Sequence, residues 1–205
     1  MPNDPSIACK RLACALLLAP WTPLHAAETA TGAATGPATA AAATAARPAV
    51  ANPHYVTLEM RTTVDRPAAA VWARIGKYCD IAEWLRLSCT LSSGRDGEIG
   101  AVRTLRNTTI EILVGRSEYS YTYTQPVMEG RTYNLYHGTL EARPATAGTS
   151  TLIYTLVYDD SLLPDDAARL ADRERRRGNF TAALQNMKTL AEGGTLPPAT
   201  DAAPR

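Results

Sequence analysis

Excess charge of either sign is missing from this sequence, which sets 21 basic against 20 acidic side chains in 205 residues. Tight nucleic-acid binding rests on neutralising phosphates, so without a surplus of lysine and arginine no nucleic-acid partner is expected. Histidine is scarce as well, only His25, His54 and His137. Once an N-terminal export signal is removed only His54 and His137 remain, on separate elements, and with the remaining cysteines oxidised that is too few ligands for a zinc site, so neither a metal nor another cofactor is expected. There is no Cys-x-x-Cys pair and no glycine-rich loop leading into a helix. Gly94, Gly97 and Gly100 fall between strand-like runs, where glycine serves turns rather than phosphates. No nucleophile-elbow sequence accompanies His137, so a Ser-His-Asp arrangement has no anchor, and the catalytic residues stay unknown. No membrane span is expected either. The apolar run Leu12 to Ala19 is well short of the ~20 residues a crossing helix needs.

That run does fit an export signal. Lys10 and Arg11 precede it and Leu24-His25-Ala26 places Leu and Ala at the −3 and −1 positions of a cleavage site, so residues 1–26 are expected to be a signal peptide and the mature chain to be periplasmic or secreted. Cleavage would remove Lys10, Arg11 and Asp4, leaving 19 side chains of each sign. It would also reduce four cysteines to two, Cys79 and Cys89. In an oxidising compartment these are expected to form a disulfide. Residues 27–53 are almost wholly Ala, Thr, Pro and Gly, a composition that cannot build a core and reads as a disordered linker; residues 193–205 read as a disordered tail. One domain remains, 54–192, large enough for a single core.

Within it, Val56, Leu58, Met60 and Val64 alternate with polar residues, as in a strand with one dry face. Asp65 and Pro67 open a short helix carrying Val71, Trp72 and Ile75, and Gly76 stops it. A second helix is expected from about Asp80 to Leu87. Strands follow over Thr90–Ser92, Ala101–Arg106, Thr109–Val114, Ser117–Gln125, Arg131–Arg143 and Ser150–Asp159, joined by short turns that include Asn107-Thr108. A long helix from Pro164 to Glu192 closes the domain, with Phe180, Leu184, Met187 and Leu190 on its buried face and Arg173 to Arg177 on a solvated one. The fold class is therefore α+β: a curved antiparallel sheet of about six to seven strands around a long C-terminal helix, with two short helices after the first strand.

This order resembles the SRPBCC superfamily, the START-related helix-grip fold, and within it the polyketide cyclase/dehydrase-like branch. Val64-Asp-Arg-Pro, Val71-Trp72, Ile75-Gly76, Trp84, Gly100-Ala-Val-Arg103-Thr-Leu, Glu111-Ile-Leu, Tyr119 to Tyr123 and the Phe180-to-Met187 helix carry the resemblance. It implies a ligand cavity under the helix grip, used in relatives for lipids, polyketides and plant hormones. By position it puts Arg103, Glu111 and Tyr136 toward the bound molecule. Leu85-Arg86 and His137-Gly138 depart from relatives, which carry His-Pro after the tryptophan and Ser after the later tyrosine. The candidate ligand-binding residues are Arg103, Glu111, Tyr121, Tyr123, Tyr136, Phe180, Leu184 and Met187. Glu111 stands between Ile110 and Ile112, and alternation alone leaves open whether it faces solvent or the hollow. Two functions are expected to compete: a non-catalytic binding protein for a hydrophobic lipid, aromatic or polyketide-like molecule, and a polyketide cyclase/dehydrase-type enzyme.

Overall fold

Residues 52–128 and 133–197 are described by the structure, a computed structural model. The expected signal peptide and nearly all of the linker lie outside them. β1 (Tyr55–Val64) turns Val56, Leu58, Met60 and Val64 inward and leaves the residues between largely exposed. α1 (Ala68–Ile75) buries Ala68, Val71 and Ile75. Its N-cap is Pro67, extended at φ −61°, ψ 147°, and not Asp65, whose backbone N–H instead donates to Glu192 Oε1 at 2.8 Å. Gly76 ends the helix where a Cβ would come within 2.5 Å of the Trp72 ring.

α2 is a single turn, Ile81–Trp84, shorter than the expected Asp80 to Leu87. Arg86, at φ 54°, prevents its continuation, and Leu85 to Ser88 run as an irregular segment. The strands are β2 (Cys89–Ser93), β3 (Val102–Leu105), β4 (Thr109–Ser117), β5 (Ser120–Thr124), β6 (Tyr136–Pro144) and β7 (Ser150–Asp159). They pair antiparallel in the order β1-β7-β6-β5-β4-β3-β2. Consecutive strands from β2 onward are neighbours, whereas the passage from β1 to β2 carries α1 and α2 from one sheet edge to the other. Bulges between Leu91 and Ser93 and between Leu113 and Gly115 add twist to the curved sheet.

α3 (Asp166–Ala191) starts at Asp165, whose carboxylate accepts from the Ala168 N–H at 2.8 Å. It packs on β1, β7 and the two short helices. Ala183, Leu184, Met187 and Leu190 are buried, and Asn186 Nδ2 donates to the Trp84 carbonyl at 2.9 Å, tying α2 down. Gly193 to Pro197, expected to begin the tail, fold back on the domain: the N–H groups of Gly193 and Gly194 donate to the Leu190 and Thr189 carbonyls, and Leu196 packs against the core.

The run Arg173 to Arg177 is not one solvated face. Arg176 lies four residues before Phe180 and continues the inward stripe, its side chain only 11% exposed and paired with Asp172 at 2.6 Å. Its guanidinium stacks over the rings of Tyr158, Tyr136 and Tyr133. Arg173 reaches Asp160, a fully buried carboxylate that His54 Nδ1 also meets at 2.5 Å, and the three pin the start of β1 to α3.

Burial opposes ionisation of Asp160, but hydrogen bonds from His54 and Arg173 prevail and hold its carboxyl below the usual value. A carboxyl with a depressed folded-state pKa contributes stability above its unfolded pKa of about 3.9, and that contribution is lost as pH falls through the folded value. Asp160→Asn is therefore expected to cost about 1.5–3 kcal/mol near neutral pH and much less below about pH 3, as measured by urea melts at the two pH values.

Candidate functional site

Between α3 and the concave sheet lies a cleft of about 290 Å³, at the small end of the ~300–1,000 Å³ typical of ligand pockets. Ile81, Leu85 and Leu87 from the α2 region, Leu105 and Phe180 give it apolar walls. Glu111, Tyr123, Gln125 and Tyr136 form its inner end, and Arg106 and Arg175 stand at the outside. Of the candidate ligand residues, Glu111, Tyr123, Tyr136 and Phe180 thus come together on one cleft. Tyr121 lines a different depression of about 210 Å³ beside Trp72 and Arg116. Leu184 and Met187 are fully buried in the core and are not among the residues bordering the cleft.

Arg103 and Glu111 are directly opposite on β3 and β4, and both point inward, at 0% and 2% exposure. Glu111 therefore faces the hollow, and Ile110 and Ile112 lie half-buried on the other side of the sheet. Arg103 Nε donates to Glu111 Oε2 at 2.8 Å, with Nη2 2.6 Å from the same oxygen as an ion-pair contact. Glu111 Oε1 accepts from Gln125 Nε2 at 2.8 Å, and Gln125 Oε1 in turn accepts from the Tyr133 hydroxyl. The Arg103 Nη1 group donates to the Tyr78 carbonyl, and the guanidinium sits 4.1 Å from the Tyr78 ring centroid and 5.0 Å from that of Tyr123.

Burial pulls the Arg103 pKa down, but the surrounding oxygens of Tyr121, Glu111, Tyr154 and Tyr78 outweigh it, leaving the pKa above the ordinary arginine value and the side chain charged. Burial pushes Tyr123 and Tyr154, whose hydroxyls meet at 2.9 Å, well above the usual phenol range, and pushes Tyr136 up as well. These tyrosines are hydrogen-bonding groups near neutral pH and not bases. With both Glu111 oxygens engaged, the arrangement is suited to orienting a polar group of a mostly apolar guest.

Gln125, Arg106 and Arg175 escaped the sequence-based selection. Gln125 is the last residue of the expected Ser117–Gln125 strand, two residues past Tyr123 and on the same face, so period-two counting could have found it. Arg175 belongs to the run expected on a solvated face, and nothing in the sequence singles out Arg106. Gly138, one of the departures from relatives, is explained by Tyr123: a Cβ there would come within 2.3 Å of the tyrosine ring, which crosses directly over it. Cys79 and Cys89 are joined, their Cα atoms 5.6 Å apart, closing a loop around α2. Among the described residues no cluster of three or more His, Cys, Asp or Glu could hold a metal ion, and no helix is long and apolar enough to cross a membrane.

A curved seven-stranded sheet gripping a long C-terminal helix over an apolar cleft with a polar inner end defines a helix-grip protein of the SRPBCC superfamily. Residues 55–192 match the family described as polyketide cyclase / dehydrase and lipid transport, and the chain belongs to that family. Solved structures share the fold. A Thermobifida fusca protein is similar at 24% identity and a TM-score of 0.56, over 69% of this chain and 97% of its own. A Nitrosospira multiformis protein is similar at 23% identity and 0.52, over 65% and 94%. The Zhui aromatase/cyclase of Streptomyces sp. R1128 is similar at 18% and 0.51, over 69% and 100%. No curated protein matches the chain.

Proposed function

We propose that the protein is an exported carrier or sensor that holds a hydrophobic small molecule, lipid or polyketide-like, in the cleft between the sheet and α3. The observation that carries this reading is the lining itself: five apolar side chains over an inner end whose acid, Glu111, is already matched by Arg103. Such a site can seat an apolar body and fix one polar group without requiring chemistry. Export is supported by the basic, apolar and small-residue order of the N-terminus, and a Cys79–Cys89 bridge is compatible with it. A periplasmic or secreted site is proposed accordingly.

The competing reading, a cyclase/dehydrase-type enzyme, draws on the family description and on Glu111 at the cleft. The carrier reading is favoured because Glu111 has both oxygens engaged and the neighbouring tyrosines hold their protons. Native mass spectrometry of protein purified from its own source should show a bound molecule of defined mass.

Thermal melts then test where it sits. A ligand at a hundred times its dissociation constant is expected to stabilise the wild type by about 2.7 kcal/mol. Leu87→Trp, which fills the half-buried mouth of the cleft, should melt near the wild-type temperature and gain little from the ligand. Equal stabilisation of both proteins would place the ligand elsewhere.

A further inference from the structure

The outer end of the cleft carries more positive charge than its neighbours neutralise. Three charged residues line the cleft: Arg106 from the β3–β4 turn and Arg175 from α3 at the outside, and Glu111 at the inner end. Glu111 is consumed by Arg103, and the single carboxylate of Asp172 is shared between Arg175 and Arg176. Among these lining residues and their direct partners, four guanidiniums face two carboxylates, so two positive charges remain.

Arg106 is also oddly placed for a mere turn residue. It and Asn107 have φ of 50° and 58°, a left-handed pair that suits Asn or Gly and disfavours a long side chain at the first position. Its backbone N–H is fixed to the Ser88 carbonyl at 3.0 Å, which ties the turn to the segment beyond α2. Its guanidinium has no hydrogen bond or ion pair among the described residues. A strained backbone that holds an unpaired cation over an apolar cleft is what a charge-recognition role would select.

We propose that the ligand is an amphiphilic anion, with its body against Ile81, Leu85, Leu87, Leu105 and Phe180 and its acidic head at the mouth between Arg106 and Arg175. The inner end suits a neutral polar group and not the acidic head, because the Glu111 carboxylate already matches Arg103 there and would repel a second negative charge. The cleft volume suits a medium chain or a small ring system. This inference rests on the cleft being the binding site, and the two can fail separately.

The test is calorimetric titration of the wild type and of Arg106→Gln, Arg175→Gln and the double variant with decanoate and with decanol, at low and high salt. A second arm uses 1-naphthoate and 1-naphthalenemethanol to distinguish a chain from a ring body. Melting curves confirm that each variant is folded. For the better body, the wild type is expected to prefer the acid over the alcohol roughly three- to tenfold at low salt. High salt and the double substitution should each erase that preference by weakening binding of the acid. Equal binding of acid and alcohol by the wild type, or an acid preference that survives the double substitution, would overturn the charged mouth while leaving the cleft reading intact. No binding of any of the four probes would sink both.

Discussion

Glu111→Leu is expected to lower the stability of the protein by about 3–5 kcal/mol, because it leaves the Arg103 guanidinium charged and buried with no carboxylate. Arg103→Met should cost a similar amount by stranding Glu111. The double variant Arg103→Met/Glu111→Leu should recover most of either loss, since two apolar side chains of similar volume remove the stranded charge with its partner. Chemical melts of the three variants supply the cycle. If the double variant is as unstable as the sum of the singles, the pair is not energetically coupled and the geometry has been misjudged. Arg103→Lys is not expected to rescue. An ammonium cannot reproduce the flat contact with the Tyr78 and Tyr123 rings while also reaching Glu111 and the Tyr78 carbonyl.

That pair also marks the limit of what the chain discloses before it folds. The strands were legible because their period-two alternation is strong, and β1 buries the four apolar residues that alternation selects. On β4 the same rule states that Glu111 opposes Ile110 and Ile112 but not which side is dry, and here the acid is inside. Register decides it.

A two-residue Asn107-Thr108 turn would have set Arg103 against Ile112. The actual turn centres on Arg106 and Asn107 and takes in Thr108 before Leu105 pairs with Thr109, which brings Arg103 opposite Glu111. A similar limit hid Arg176. Helical counting from Phe180 reaches it, yet an arginine amid charged neighbours reads as solvated until Tyr133, Tyr136 and Tyr158 are seen to roof it and Asp172 to pair with it. Composition and period report which residues share a face. Both pairs are local, eight residues apart across a hairpin and four apart on a helix; what buries them, Tyr78 over Arg103 and Tyr136 and Tyr158 over Arg176, comes from elements distant in sequence, and no local pattern encodes that.

Removing the Cys79–Cys89 bridge is the second change expected to act strongly, and it should act on the cleft as well as on the fold. The bridged residues are 10 apart, and closing a loop of that size contributes about 2.7 kcal/mol in the chain-entropy model. For a domain of this size, that corresponds to a fall in melting temperature of roughly 10 °C. The loop holds Ile81, Leu85 and Leu87, three of the five apolar walls of the cleft, on one turn of helix and an irregular segment whose backbone hydrogen bonds are mostly internal to it. Without the bridge, ligand binding must order that wall itself, so affinity should fall along with stability. Melts of the wild type with and without reductant, beside Cys79→Ser/Cys89→Ser, test the first part. Reductant should lower the wild-type midpoint toward that of the variant and leave the variant unchanged. Titrating both proteins with an apolar ligand well below either midpoint tests the second, and equal affinities there would mean that Asn186, reaching from α3 to the Trp84 carbonyl, and the packing of Ile81 and Trp84 hold the wall without the disulfide.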